Sequence, residues 1–341
     1  MTTGAATDLE GAYAAAVSLV RDAPRLLVTT HENPDGDAIG SLVAAARSLR
    51  LGGWDAVAFL AGTTQLPQEY HFLDQEIELV RELPADWRER LLLALDCGSA
   101  PRTGLSDEEL AAFPAIVNVD HHHDNPRYGT AAVVDPAAPC CTVMVRRLLE
   151  GLGAPLDDVV RQALYVGLVT DTGRFSYSNV TGDALREAAR LVDEGVRPHE
   201  IFSRVYEDVP VAKARLLGIA LARLELRLDG RLALTHLLRT DFEAAGAAEP
   251  FSEGIIEHVR ALRGVEVAVL VREPRDPDGP RFKASMRSRR PEVDVSHVPA
   301  AGFSSDLELP ELLAFIEREL AADGAPRARR RPPAGASACS P

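Results

Sequence analysis

The sequence predicts an α/β protein, with a mostly parallel sheet flanked by helices in its N-terminal part and a smaller α+β domain behind it. Three observations predict this. First, residues 26–30, 91–95 and 115–119 are short apolar runs without polar alternation, as expected of strands covered by helices on both faces. Second, each run ends on side chains able to hold a ligand. These are His31, Asp35 and Asp37 after the first, Asp96 after the second, and Asp120, His121, His122 and His123 after the third. Open α/β sheets place their ligands at that end of the strands. Third, beyond residue 222 the pattern changes to alternating strands and shorter helices.

In chain order, residues 1–22 set Leu9, Tyr13, Val17 and Val20 at roughly helical spacing. The run 26–30 passes through His-Glu-Asn-Pro-Asp-Gly-Asp into Ile39, Leu42, Val43 and Ala46, which reads as strand, tight polar loop and helix. Taken alone, Asn-Pro-Asp-Gly is equally well a plain turn with Asp37 capping the helix. Residues 54–60 read as a strand, 63–74 as a loop and 138–151 as a helix. The segment 162–172 reads as a helix because Leu164, Leu168 and Asp171 share one face at i, i+4 and i+7. Residues 181–194 form a helix with Thr181 as N-cap, and 199–222 a helical connector broken near Pro210. In the second half, 231–237, 265–272 and 281–286 read as strands and 251–262 and 310–320 as helices. The Pro/Ala/Arg/Ser-rich residues 323–341 cannot bury a core and are expected to be disordered.

The 341 residues are 46% hydrophobic and 26% charged, the balance of a soluble globular protein of two domains. No stretch has the length or apolarity to span a bilayer and no signal peptide opens the chain, so the expectation is a cytoplasmic protein without a membrane partner. The net charge of −14 argues against wrapping long nucleic acid, but not against a short or mononucleotide substrate. Four cysteines form no CxxC pair, so no zinc ribbon is expected, and Cys97 reads as a small buried filler.

Gathered together, His31, Asp35, Asp37, Asp96, Asp120, His121, His122 and Asp171 mix imidazole with carboxylate, a set suited to a divalent ion such as Mn²⁺. One carboxylate can bridge two ions, and two ions roughly 3.5–4 Å apart stabilise in-line displacement at phosphorus. A histidine-rich tract by itself is an ordinary solvated loop. Four separate clusters at strand and helix ends are not. No serine elbow, Walker A pattern or GxGxxG fingerprint competes.

His31-x-x-x-Asp35-x-Asp37, Leu95-Asp96-Cys97-Gly98, Asp120-His121-His122 and Thr170-Asp171-Thr172-Gly173-Arg174-Phe175 resemble, in order and spacing, the four motifs of the DHH phosphoesterases. The pattern is most similar to the DHH–DHHA1 subgroup called nanoRNase/pAp phosphatase, over roughly residues 8–320. The resemblance implies two Mn²⁺ per chain, with Mg²⁺ or Co²⁺ as substitutes. By matching motifs, His31, Asp35 and Asp96 would hold one ion. Asp37, Asp96, His121 and Asp171 would hold the other, Asp96 bridging. Asp120 would orient the site from behind and His122 would face the scissile phosphate, which a metal-bridging hydroxide attacks. The implied organisation is a DHH domain over 1–200, a helical linker over 201–222, a DHHA1-like substrate domain over 223–322 and a disordered tail over 323–341.

Lys283-Ala284-Ser285-Met286-Arg287-Ser288-Arg289 resembles the substrate-side strand of DHHA1, so Ser285 and Arg287 are expected to contact a nucleotide's terminal phosphate. Read without the resemblance, Arg287, Arg289 and Arg290 are a basic surface cluster. One departure stands out. Where the family carries a Gly-Gly-Gly-His element, Ser296-His297-Val298 runs directly into Pro299-Ala300-Ala301-Gly302-Phe303. His297 is the candidate substitute for the absent histidine. The implied substrates are short oligoribonucleotides, dinucleotides and 3′-phosphoadenosine 5′-phosphate. The alternatives are cyclic-di-AMP hydrolysis and, because of the shortened loop, a nucleotide sensor with little catalysis. A pyrophosphatase of the same superfamily fits less well, given the Arg287 strand and the His-Asp-Asn-Pro-Arg-Tyr-Gly context at 123–129. A homodimer is compatible with the sequence.

Overall fold

Helix α1 (Thr3–Asp22) leads into strand β1 (Arg25–Thr29), helix α2 (Gly36–Leu51) and strand β2 (Asp55–Phe59). There follow a one-turn helix α3 (His71–Asp74), β3 (Leu79–Val80), β4 (Leu91–Leu95), α4 (Asp107–Ala112), β5 (Ile116–Asp120) and β6 (Ala131–Val134). Helices α5 (Cys141–Leu152), α6 (Asp158–Asp171), α7 (Gly182–Asp193) and α8 (Pro198–Phe202) come next, and then a π-type turn, Ser203–Glu207. This computed structural model describes residues 3–62, 66–274, 281–288, 302–305 and 307–322. It divides into two units, 1–208 and 209–341.

The first sheet is parallel throughout, in the order β3-β2-β1-β4-β5-β6. Leu26, Val28, Leu93, Leu95 and Val119 pack on one face against Ile39, Leu42, Val145 and Leu168 from α2, α5 and α6. Leu27, Phe59 and Leu92 pack on the opposite face against Trp87, Leu110 and Phe113. Burial on both faces is why these strands are unbroken apolar runs. After β3 the chain returns to the other side of β1 and re-enters as β4. The switch point therefore lies between β1 and β4, where a doubly wound sheet opens a crevice at its carboxyl edge. The strand order is that of dinucleotide folds, although their glycine fingerprint is absent.

Helices α2 and α6 approach closely beside this crevice. Gly167 makes the approach feasible, because a Cβ there would fall 2.6 Å from Asp37 Oδ1 and also onto the Thr142 side chain.

The second unit comprises α9 (Val211–Ala222), β7 (Glu225–Arg227), β8 (Leu232–Leu237), α10 (Arg239–Ala245), α11 (Ile255–Arg260), β9 (Val267–Arg272), β10 (Phe282–Ser288), β11 (Gly302–Ser305) and α12 (Leu309–Ala322). Its mixed sheet runs β11-β10-β9-β8-β7, with only the β8–β9 pair parallel. Leu216, Phe242, Ile255 and Val259 cover one face and Leu312, Ile316 and Leu320 the other. Leu216 and Ala220 are buried in this core, so α9 packs as part of the second unit.

Several elements carry no clear sequence signal. Strands β3 and β7 span only 2 and 3 residues, and β6 is Ala-Ala-Val-Val. Strand β11 and helix α10 likewise carry none. The expected helix 251–262 begins only at Ile255, because Gly254 sits at φ 82°, in the left-handed region where a helix cannot continue. The described part of 63–74 holds a 3₁₀ turn, Gln68–Tyr70, and α3 rather than plain loop. Arg289, Arg290, His297 and the tail 323–341 lie outside the described residues. Among the described residues no helix is long and apolar enough to cross a membrane.

Candidate metal centre

The centre begins where β1 runs out. His31 follows the strand and is 6% exposed. Asp35 has extended backbone and caps α2, its Oδ1 accepting the N–H groups of Asp37 and Ala38, both at 3.1 Å. The turn reading placed that cap at Asp37. The structure places it at Asp35, because only the extended residue before the first turn can fold its carboxylate back onto the free amides. Asp37 is thereby released for another task. Its carboxylate is buried and accepts the N–H groups of Cys141 at 2.6 Å and Thr142 at 2.9 Å. Cys140, the N-cap of α5, makes no side-chain cap bond, so a carboxylate from α2 satisfies the start of α5.

Asp96 follows β4 at φ 55°, a left-handed conformation that Asp tolerates better than most residues. Its Oδ2 is 3.6 Å from His31 Nε2. Its Oδ1 is 3.6 Å from both His121 Nε2 and His122 Nδ1. Asp120 ends β5 fully buried and accepts the Nδ1–H of His122 at 2.7 Å. The Asn125 amide donates to Asp120 Oδ2 at 2.6 Å and to Asn118 Oδ1 at 2.8 Å. His121 Nε2 lies 3.7 Å from Asp37 Oδ2 and 3.9 Å from Asp171 Oδ2. Asp171 is the last residue of α6, and the Asn179 amide donates to its carbonyl at 3.1 Å.

Three groups of ligand atoms result, each with its atoms within 4.8 Å of one another. They are His31, Asp35 and Asp96; Asp37, His121 and Asp171; and Asp96, His121 and His122. Asp96 belongs to two of them and joins the sets. These residues fit divalent ions on two counts. Asp96 Oδ1 is buried and has no hydrogen-bond partner among the described residues, the mark of an acceptor awaiting a cation. The acids also crowd one another. Burial, then Asp37, Asp35, Asp120 and Asp171, push Asp96 well above the usual carboxylate range. Burial is likewise the largest influence raising Asp37, and burial with the Asp37 and Asp35 charges pushes Asp171 up to about 8. Burial, helped by Arg102 and His122, brings His31 down to about 4, which leaves a neutral imidazole free to ligate. The donor set is nitrogen and oxygen, without thiolate, as borderline and hard ions prefer.

Around these ligands the other groups are set differently. Burial works against Asp120, but the bonds from His122 and Asn125 hold it below the usual range. The bond to Asp120 raises His122 against its burial. Cys97 is fully buried, and burial pushes its thiol far up, so it is a filler and not a nucleophile.

Sequence reasoning missed Arg102, whose Nη1 lies 3.3 Å from His122 Nε2, as well as Asn125, Asn179 and the amides of Cys141 and Thr142. Only Asn125 had a signal, its place next to the histidine tract. Ser285 and Arg287 lie in the second unit, on one face of β10. Ser285 Oγ accepts from Arg272 at 2.9 Å, and exposed Arg287 has its Nε 3.5 Å from Glu257 Oε1.

A profile described as DHH family, N-terminal domain, matches residues 25–168. The chain is 32% identical to the bifunctional oligoribonuclease and PAP phosphatase NrnA of Thermus thermophilus over 81% of this chain and 83% of that protein. It is 24% identical to the protein of the same name from Bacillus subtilis, over 76% and 81%. In fold it is similar to an exopolyphosphatase-related protein from Bacteroides fragilis, with a TM-score of 0.81, 20% identity and 92% and 96% of the two chains covered. It is also similar to RecJ of Thermus thermophilus in complex with Mn²⁺, with a TM-score of 0.54, 15% identity and 91% and 55% covered. The chain belongs to the DHH family.

Proposed function

We propose that this DHH-family phosphoesterase uses two divalent ions, Mn²⁺ foremost, to hydrolyse short oligoribonucleotides and dinucleotides and to convert 3′-phosphoadenosine 5′-phosphate to AMP. The observation that carries the reading is Asp96, a buried carboxylate shared between two ligand sets with one oxygen unpartnered. The name of the Thermus relative, at 32% identity over most of both chains, supports the substrate class.

His31, Asp35 and Asp96 would hold one ion and Asp37, His121 and Asp171 the other, with Asp96, whose Oδ1 lies 3.6 Å from His121 Nε2, bridging the two. Bound ions supply Lewis-acid polarisation of a phosphoryl oxygen and lower the pKa of water. The chain's residues do the rest. Asp120 and Asn125 fix the His122 ring through its Nδ1, which leaves Nε2, facing Arg102, as the atom that would exchange a proton with a phosphoryl or leaving oxygen. Ser285 and Arg287 would take a nucleotide's terminal phosphate.

The deciding experiment is Mn²⁺-dependent phosphate release from 3′-phosphoadenosine 5′-phosphate, run beside pApA hydrolysis and an Asp96→Ala control. Turnover lost in the control is expected. No turnover on either compound, with two Mn²⁺ bound per chain, would overturn it. The sequence between Val295 and Gly302, too short for the family's glycine element, would then favour a nucleotide sensor.

A further inference from the structure

Beside the acidic centre stands an arginine that makes no ion pair among the described residues. Arg102 lies half-buried in the 3₁₀ turn Ala100–Thr103. The turn is firmly held. Thr103 Oγ1 donates to the Ala100 carbonyl at 2.7 Å, and the Arg102 carbonyl accepts the N–H of Glu32, next to His31, at 3.1 Å. The guanidinium points at the reaction side of His122, with Nη1 3.3 Å from Nε2. Gly98 leaves the room for this, since a Cβ there would lie 3.2 Å from His122 Cβ and 3.4 Å from Arg102 Nη1.

Charge explains why such a group is needed. The proposed ligand sets contain the carboxylates of Asp35, Asp37, Asp96 and Asp171, whose charge two dications only neutralise. A phosphoryl group brings further negative charge, which grows on its oxygens in the transition state. Arginine presents five N–H donors in a planar fork matched to phosphate oxygens, and against His122 it uses only one.

We propose that Arg102 is a catalytic residue that clamps a non-bridging oxygen of a phosphate mono- or diester, with His122 as the rest against which the guanidinium is aimed. This deepens the phosphoesterase reading and rests on it.

The test uses the full Mn²⁺-loaded chain with Arg102→Gln and Arg102→Lys. Inorganic phosphate binding is measured by calorimetry, alongside Mn²⁺ stoichiometry and kcat and KM on pApA. Arg102→Gln should keep its Mn²⁺, weaken phosphate binding roughly tenfold and lower kcat/KM roughly 100-fold. Arg102→Lys should restore phosphate binding more than kcat, because a point charge lacks the fork. It also serves should the glutamine variant fail to fold. Phosphate binding by Arg102→Gln as tight as that of the unsubstituted chain, or none by the unsubstituted chain, overturns the clamp. Phosphate binding lost in Arg102→Gln, with no nucleotide turnover by the unsubstituted chain, upholds the anion clamp and overturns the phosphoesterase reading.

Discussion

The carboxylate of Asp37 lies against the backbone of Gly167, with the Oδ1 atom 2.6 Å from where a Cβ would stand. The carboxylate has little freedom to retreat, because its oxygens are tied to the Cys141 and Thr142 amides. Gly167→Ala should therefore displace Asp37. Overpacking of this kind costs about 1–3 kcal/mol. Denaturant unfolding should show that loss, and equilibrium dialysis should show fewer Mn²⁺ bound per chain. An alanine variant with unchanged stability and stoichiometry would mean that α2 and α6 part easily.

Asp96→Asn isolates charge from shape, since Asn also tolerates the left-handed backbone at φ 55°. Without metal, the variant should be more stable than the parent at neutral pH, because a buried carboxylate crowded by four others is gone. With metal the order should reverse. Mn²⁺ at 100 times its Kd stabilises by about 2.7 kcal/mol for one site, and the variant should gain less. Thermal unfolding with and without Mn²⁺ checks both halves.

The metal-free chain should lose stability as pH rises. Asp37, Asp96 and Asp171 hold their protons more tightly in the folded chain than an ordinary aspartate does, Asp171 up to about 8. Across that window the native state holds more protons than the unfolded state, so the unfolding free energy falls with increasing pH. Midpoints measured in EDTA from pH 6.5 to pH 8, above the range in which His31, brought down to about 4, adds stability with rising pH, should decline, whereas saturating Mn²⁺, which replaces those protons, should flatten or invert the trend. A rising EDTA profile would contradict the crowding of these acids.

Asp120→Asn and Asn125→Ala act on His122 without removing a proposed metal ligand. Each should leave Mn²⁺ stoichiometry unchanged and lower kcat about 10–100-fold, the range for loss of an orienting partner. Asp120→Asn should be the more severe, because Asp120 alone among the two touches the ring, at 2.7 Å. Steady-state kinetics on pApA beside metal analysis separates this from a simple loss of metal.

How much of this was legible in sequence depended on periodicity. His31, Asp96 and Asp120 could be read because unbroken apolar runs point at them, and Asp171 because it shares a helical face with Leu164 and Leu168. Asp35 and Asp37 were legible as a pair but not in their division of labour. Which acid caps depends on backbone angle, and Asp35 at φ −92°, ψ −166° is the extended one. Arg102 and Asn179 lie in loops with no repeat and act through partners far along the chain, so no local pattern marks them. Strand β6 was missed for a related reason. Four small apolar residues become a strand only because Val119 and Asn118 of β5 offer an edge to pair with.

The position of β4 in the sheet bears on how the site is born on the ribosome. Strand β1 takes β2 as one neighbour early, but its other edge waits for β4, which is made after β3. Until then a nascent chain carries an apolar strand with an open edge, a hazard for pairing with other chains. The ligands themselves range from His31 to Asp171. A chain stalled before α6 would carry every proposed ligand but Asp171, so interrupted synthesis should release fragments whose second ion site is incomplete.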